Sequence, residues 1–200
     1  MKKTRIKICG ITSLEDANDA IKAGADALGF VFYEKSPRYI SPIEAKKIID
    51  KIPPFVQSVG LFVNLPATQI DFICKRSAID IAQIHFEADE KFFKSLQTKH
   101  MKVVRAKSRE DLLKYKDEYI LVDAFVEQYG GEGKRLELSW FEGLDCSKMI
   151  IAGGLNSSNL NELQVFGFYG VDVSSGVEQS KGKKDNQKMI DFCKAVYAIS

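Results

Sequence analysis

Two short runs end in groups that can give or take a proton. Arg5-Ile6-Lys7-Ile8-Cys9 stops at a thiol, and Tyr119-Ile120-Leu121-Val122-Asp123 stops at a carboxyl. Cys9 is one of four cysteines, with Cys74, Cys146 and Cys193, all far apart and with no Cys-x-x-Cys pair. That spacing speaks against a disulfide framework and against zinc. Cys9 alone lies where an apolar run gives way to glycine and a helix-like stretch follows. Two further stretches could hold anions. Ile151-Ala152-Gly153-Gly154-Leu155 and Val173-Ser174-Ser175-Gly176-Val177 are rich in small residues, which let backbone N–H groups approach a phosphate closely. Arg38, after Ser36-Pro37, can grip a carboxylate through two parallel N–H bonds; taken alone it reads as a solvated loop cation.

Such groups need a scaffold, and the chain alternates β-branched runs with amphipathic segments throughout. Strands are expected at 5–9, 27–32, 57–63, 81–85, 102–106, 119–123, 149–153 and 169–174. Ser13-x-x-Asp16 caps the first helix, which should stop at Gly24; Pro42 follows a Ser41 cap in the second. Helices are also expected in ATQIDFICKRS, ADEKFFKSLQ, SREDLLKYK, SSNLNELQVFG and DNQKMIDFCKAVYAI, with one or two turns in SWFEGL. A further short helix starts near Gly176. Eight strand–helix units of about 24 residues describe a single-domain α/β fold, a (β/α)8 TIM barrel over residues 1–200, with an open doubly wound sheet as the alternative. The pair of loops after strands seven and eight is the usual phosphate site of such a barrel. The glycine-rich 130–134, after strand six, suits a flexible lid.

Alternation along each strand assigns the inner face. Ile6 and Ile8 pack outward, so Lys7 and Cys9 point inward, joined by Gln83, His85, Arg105, Asp123 and Asp172. The bland reading of Lys7, Gln83, Arg105 and Asp172 is a polar plug of mutually satisfied groups. Cys9 and Asp123 differ because each ends its strand, where barrel enzymes do their chemistry.

Composition narrows the class. In 200 residues, 45% are hydrophobic and 28% charged, with 29 basic against 27 acidic and a net charge of +2. This balance gives no reason to expect a nucleic-acid partner or a membrane surface. No apolar run approaches the ~20 residues of a bilayer span, and none near the start suits a signal peptide, so a cytoplasmic protein is expected.

The ordered motifs resemble those of the phosphoribosylanthranilate isomerase family. They are Lys7-Ile8-Cys9-Gly10-Ile11-Thr12, Gly29-Phe30-Val31-Phe32, Ser36-Pro37-Arg38, Val59-Gly60-Leu61-Phe62-Val63, Gln83-Ile84-His85, Leu121-Val122-Asp123, Ala152-Gly153-Gly154-Leu155 and Asp172-Val173-Ser174-Ser175-Gly176-Val177-Glu178. Phe86 replaces a usual glycine, and Glu132 and Leu138-Ser139-Trp140 depart from the family pattern around the loop after strand six. The resemblance implies an Amadori rearrangement of N-(5-phosphoribosyl)anthranilate to 1-(2-carboxyphenylamino)-1-deoxyribulose 5-phosphate in tryptophan biosynthesis, with no cofactor and no metal. It implies Cys9 as general base, with a lowered pKa, and Asp123 as general acid, with a raised one. It further implies that Arg38 holds the anthranilate carboxylate, that Gly153, Gly154, Ser174, Ser175 and Gly176 hold the phosphate, and that Lys7 belongs to the substrate-binding set as a positive field near the thiol. The partner is a small phosphosugar; the oligomeric state is not legible. Another phosphosugar barrel enzyme is the main alternative. A metal-dependent epimerase wants more than the two histidines present, and an aldolase lysine could only be Lys107. A phosphate-ligand binding protein without activity is the other alternative.

Overall fold

A computed structural model describes residues 3–115, 117–124 and 135–200. The expected glycine-rich lid at 130–134 lies outside the described residues. Eight parallel strands close into one barrel in sequence order. They are β1 (Arg5–Cys9), β2 (Ala27–Val31), β3 (Gln57–Phe62), β4 (Ile81–Ile84), β5 (His100–Ala106), β6 (Ile120–Ala124), β7 (Met149–Ile151) and β8 (Gly170–Val173). Pairing of β1 with β8, Lys7 opposite Asp172, shuts the ring and excludes the open sheet.

Helices α1 (Leu14–Ala23), α2 (Pro42–Ile49) and α3 (Ala67–Ser77) cover the first strands. The Ser13 side chain accepts from the Asp16 N–H, Ser41 from the Glu44 N–H, and Gly24 ends α1 in the left-handed region. Those are the capping roles that the hydroxyls and the glycine predict. The later connections are shorter: α4 (Glu90–Ser95), α5 (Arg109–Leu113), then 3-10 turns at Leu138–Phe141 and Leu160–Leu163. The helix expected in SSNLNELQVFG is thus a single 3-10 turn. Asn156 and Asn159 spend their side chains on turn N–H and C=O groups there, an alternative to the helical ladder. After β8 comes one 3-10 turn at Ser175–Val177, then a hairpin of β9 (Glu178–Ser180) and β10 (Lys183–Lys184), and α6 (Asn186–Ala198).

The outward strand residues and the helices share one apolar layer: Ile6, Ile8, Leu28, Phe30, Phe62, Ile84, Val122 and Val171 pack with Ala17, Ala45, Ile70, Met189 and Phe192. At roughly 1.5–3 kcal/mol per buried large side chain, this ring drives closure. It leaves the opposite parity, Lys7, Cys9, Gln83, Arg105, Asp123 and Asp172, to the barrel interior. Among the described residues no helix is long and apolar enough to cross a membrane.

Candidate active site

On β1 the inner face carries Lys7 at mid-strand and Cys9 at its C-terminal end. Lys7 Nζ donates to Asp172 Oδ1 at 2.8 Å, and both side chains are buried. Burial pulls the Lys7 ammonium down, but Asp172 and Cys9 together hold its pKa above the usual lysine value. Half of the expected polar plug is therefore this ion pair. Gln83 is buried in β4 with its side-chain carbonyl oxygen unmatched among the described residues.

Cys9 has room because β2 presents no side chain to it. A Cβ added at Gly29, its register partner, would lie 2.8 Å from the sulfur. The lowered thiol pKa expected from sequence is not what the free site provides. Burial pushes the Cys9 thiol up; Lys7, and more weakly Lys184, pull against it, while Asp172 adds to the rise. In a low-dielectric site, desolvation outweighs two cations, one of which Asp172 neutralises.

Across the mouth, Asp123 stands near the end of β6, the sixth strand in a ring where β1 is joined through β8 and β7. Parallel strands put its carboxyl and the Cys9 sulfur on the same rim. Burial, then the charge of Asp172, raises Asp123 to about 6, with the Ala124 N–H at 2.8 Å, Arg105 and Lys7 opposing. This is the expected direction. His85 Nε2 lies 3.8 Å from Asp123 Oδ2. Burial, Arg105 and Lys7 depress His85 to about 4, so at neutral pH the imidazole is uncharged and the contact is not an ion pair.

Arg38 is not a solvated cation. Its Nε and Nη2 donate to Glu178 Oε1 and Oε2 at 2.7 and 2.8 Å, and the pair is buried. Glu178 Oε1 also accepts from Lys184 Nζ at 3.0 Å. Gly10, at φ +81, lets the chain leave β1 beneath this guanidinium; a Cβ there would meet Arg38 Cδ at 2.7 Å. Glu178 and Lys184 were not expected in the site from sequence. Glu178 ends the motif that begins at Asp172, which was a usable signal. Lys184 hides in Lys181-Gly182-Lys183-Lys184, which reads as a solvated charge run.

After β7, Gly153 and Gly154 both take positive φ, 89 and 63. That left-handed pair costs glycine little. The loop after β8 packs on it, since a Cβ at Gly176 would collide with the Leu155 carbonyl oxygen. Ser175 and Gly176 form one 3-10 turn, not the short helix expected from sequence, so this loop offers backbone N–H groups but no helix dipole. The Ser174 hydroxyl donates to the Cys9 carbonyl at 3.1 Å. Among the described residues, no cluster of three or more His, Cys, Asp or Glu could hold a metal.

A family model described as N-(5'phosphoribosyl)anthranilate (PRA) isomerase matches residues 6–195. The chain is 61% identical over 188 residues to the N-(5'-phosphoribosyl)anthranilate isomerase of Nitratiruptor sp., covering 94% of this chain and 96% of that relative. Among solved structures it is similar to the phosphoribosyl anthranilate isomerase of Thermus thermophilus, at 29% identity and TM-score 0.88, covering 98% of this chain and 100% of that one. It is similar as well to a phosphoribosyl anthranilate isomerase solved with reduced 1-(o-carboxyphenylamino)-1-deoxyribulose 5-phosphate, at 36% identity and TM-score 0.84, covering 98% of this chain and 99% of that one.

Proposed function

The chain belongs to the N-(5'-phosphoribosyl)anthranilate isomerase family, and we propose that it rearranges its aminoaldose substrate with Asp123 as general acid and Cys9 as general base. The reaction is an aldose–ketose isomerisation in tryptophan biosynthesis, one that moves hydrogen within a single molecule and needs no cofactor. The observation that carries the residue assignment is the placing of a thiol and a carboxyl at facing ends of β1 and β6 on one rim. Asp123 protonates the ribose ring oxygen as the ring opens to a Schiff base. Cys9 then takes the proton from C2′, leaving the enolamine that tautomerises to the aminoketose.

Binding supplies the orientation. Arg38 receives the anthranilate carboxylate through the edge that Glu178 leaves open, while the N–H groups of Gly153, Gly154, Ser175 and Gly176 receive the phosphate. Anchoring both ends fixes the pentose between acid and base. Ser174 supports the site by holding the Cys9 carbonyl, and Lys7 contributes positive field from below rather than direct contact with substrate. The whole chain, residues 1–200, works as one barrel domain, and the protein acts in the cytoplasm. The test is complementation: cells lacking this isomerase should grow without tryptophan when given the gene, and not when given Cys9→Ser or Asp123→Asn. A soluble, well-expressed wild-type protein that fails to restore growth removes the assignment.

A further inference from the structure

The hairpin after β8 delivers two opposite charges to one place. Lys184 and Glu178 are register partners across β9 and β10, so their side chains share a face, and that face turns toward the ends of β1 and β8. The Lys184 side chain has no exposure at all. Its Nζ donates to Glu178 Oε1 at 3.0 Å and to the Ser174 carbonyl at 3.2 Å, with the Ser174 hydroxyl at 3.5 Å. That hydroxyl in turn donates to the Cys9 carbonyl. The hairpin is fastened below by Thr12, whose hydroxyl donates to the Gly182 carbonyl at 2.7 Å, and by Asp16, which accepts from the Lys184 N–H at 3.3 Å.

Charge balance makes this lysine unusual. Arg38 alone satisfies both oxygens of Glu178. A second buried cation on the same carboxylate leaves Arg38, Lys184 and Glu178 with a net positive charge among the three, while the Asp16 carboxylate lies on the backbone side at the Lys184 N–H; burying that charge is costly unless an anion answers it. Lys7 and Asp172 cancel each other. Around Cys9 the facing groups are therefore Lys7 from its own strand, Asp172 from β8, Ser174 just after it, Glu178 and Lys184 from the hairpin and Arg38 from the loop after β2. Gly29 offers nothing from β2, and His85, Arg105 and Asp123 stand across the mouth. That net charge sits where the Ser174 hydroxyl joins Lys184 to the Cys9 carbonyl, and the anion it can answer there is the sulfur.

We propose that Lys184 is a positioning residue for Cys9, a buried ammonium held by Glu178 at the end of β1 to stabilise the thiolate that abstracts the C2′ proton. The electrostatic coupling between Lys184 and Cys9 has the matching sign in both directions. The proposal rests on Cys9 being the base, and it gives the free site a way to offset the burial that keeps the thiol protonated.

The test reads the thiolate directly. Its ultraviolet absorbance is titrated as the difference between each protein and the same protein carrying Cys9→Ser. Lys184→Met should move the midpoint upward by about one pH unit or more, a tenfold loss of thiolate at fixed pH. Turnover should fall by about tenfold near neutrality and recover toward the parent at higher pH, with KM within several-fold. Lys184→Arg should keep the midpoint near the parent's. Glu178→Gln removes a negative charge and should move the midpoint downward, a sign that a merely loosened hairpin would not produce. Lys184→Gln, read in the same way, decides the matter if Lys184→Met does not fold. An unmoved midpoint in Lys184→Met, or an upward one in Glu178→Gln, overturns the proposal. Normal turnover in Cys9→Ser would instead remove the base assignment and leave the titration to judge Lys184 separately.

Discussion

The two sides of the barrel mouth solve burial differently. The side of β1 and β8 is dense and ion-paired: Lys7 with Asp172, Arg38 with Glu178, Lys184 fully enclosed. The side of β4 to β6 is looser. Asp123 keeps 26% side-chain exposure and faces an uncharged His85 at 3.8 Å. Burial raises both acids and Asp172 adds to both rises; Lys7 and Lys184 oppose it at the thiol, the Ala124 N–H, Arg105 and Lys7 at the carboxyl. Burial thus acts on two acids with different neighbours. One side is built to tolerate an anion, the other to favour a proton.

The sharpest way to break this contrast is to exchange the roles. Asp123→Asn should lower kcat by about a thousandfold, within the range of acid–base catalysis. Ring opening then limits the rate, so the isotope effect of a C2′-deuterated substrate should fall toward unity. Cys9→Ser should lower kcat by at least about a hundredfold while affinity stays within several-fold. Proton abstraction becomes limiting there, and the same isotope effect should rise. The opposite pair of isotope effects would make the carboxyl the base and the thiol the acid, an arrangement that the free-site protonation states would suit.

Next in size is a stability effect confined to the looser side. His85 has a pKa of about 4 in the fold against the ordinary value of 6.5. Between those values the unfolded chain binds the extra proton, so stability is complete above about 6.5 and is lost as pH falls toward 4. At pH 5 His85 alone contributes a loss of about 2 kcal/mol relative to neutral pH, which Asp123, raised to about 6 and taking up its proton in the fold over the same range, partly offsets. Urea unfolding should show the His85 contribution as the difference in acid loss between the parent and His85→Asn. An equal acid loss in both would move the sensitivity to other groups.

The barrel was legible because outward positions such as Ile6, Ile8, Leu28 and Phe30 repeat with period two and the caps at Ser13 and Ser41 are local chemistry. Covering elements were less so. A 3-10 turn at Leu160–Leu163 is enough to bury Leu160 and Leu163 in the core, and tertiary packing overrides the helical spacing of SSNLNELQVFG. In the site, Cys9 and Asp123 announce themselves by ending strands. Glu178 and Lys184 do not. Their burial is created by a two-strand hairpin whose register no local pattern specifies, and a lysine beside other lysines reads as solvent-facing until that register is known.

Arg38 gives the smallest effect and sharpens the contrast from the paired side. With Nε and Nη2 committed to Glu178, it can offer substrate only its remaining edge. Arg38→Ala leaves Glu178 matched by Lys184, so the buried cluster becomes neutral rather than stranded and the fold should survive. What disappears is the guanidinium edge that a carboxylate would grip. KM should rise about tenfold or more with kcat within a few-fold, the mark of binding lost equally in ground and transition states. Should kcat fall while KM holds, Arg38 would belong with the thiol's electrostatics rather than with the carboxylate. The ion-paired side would then serve chemistry alone.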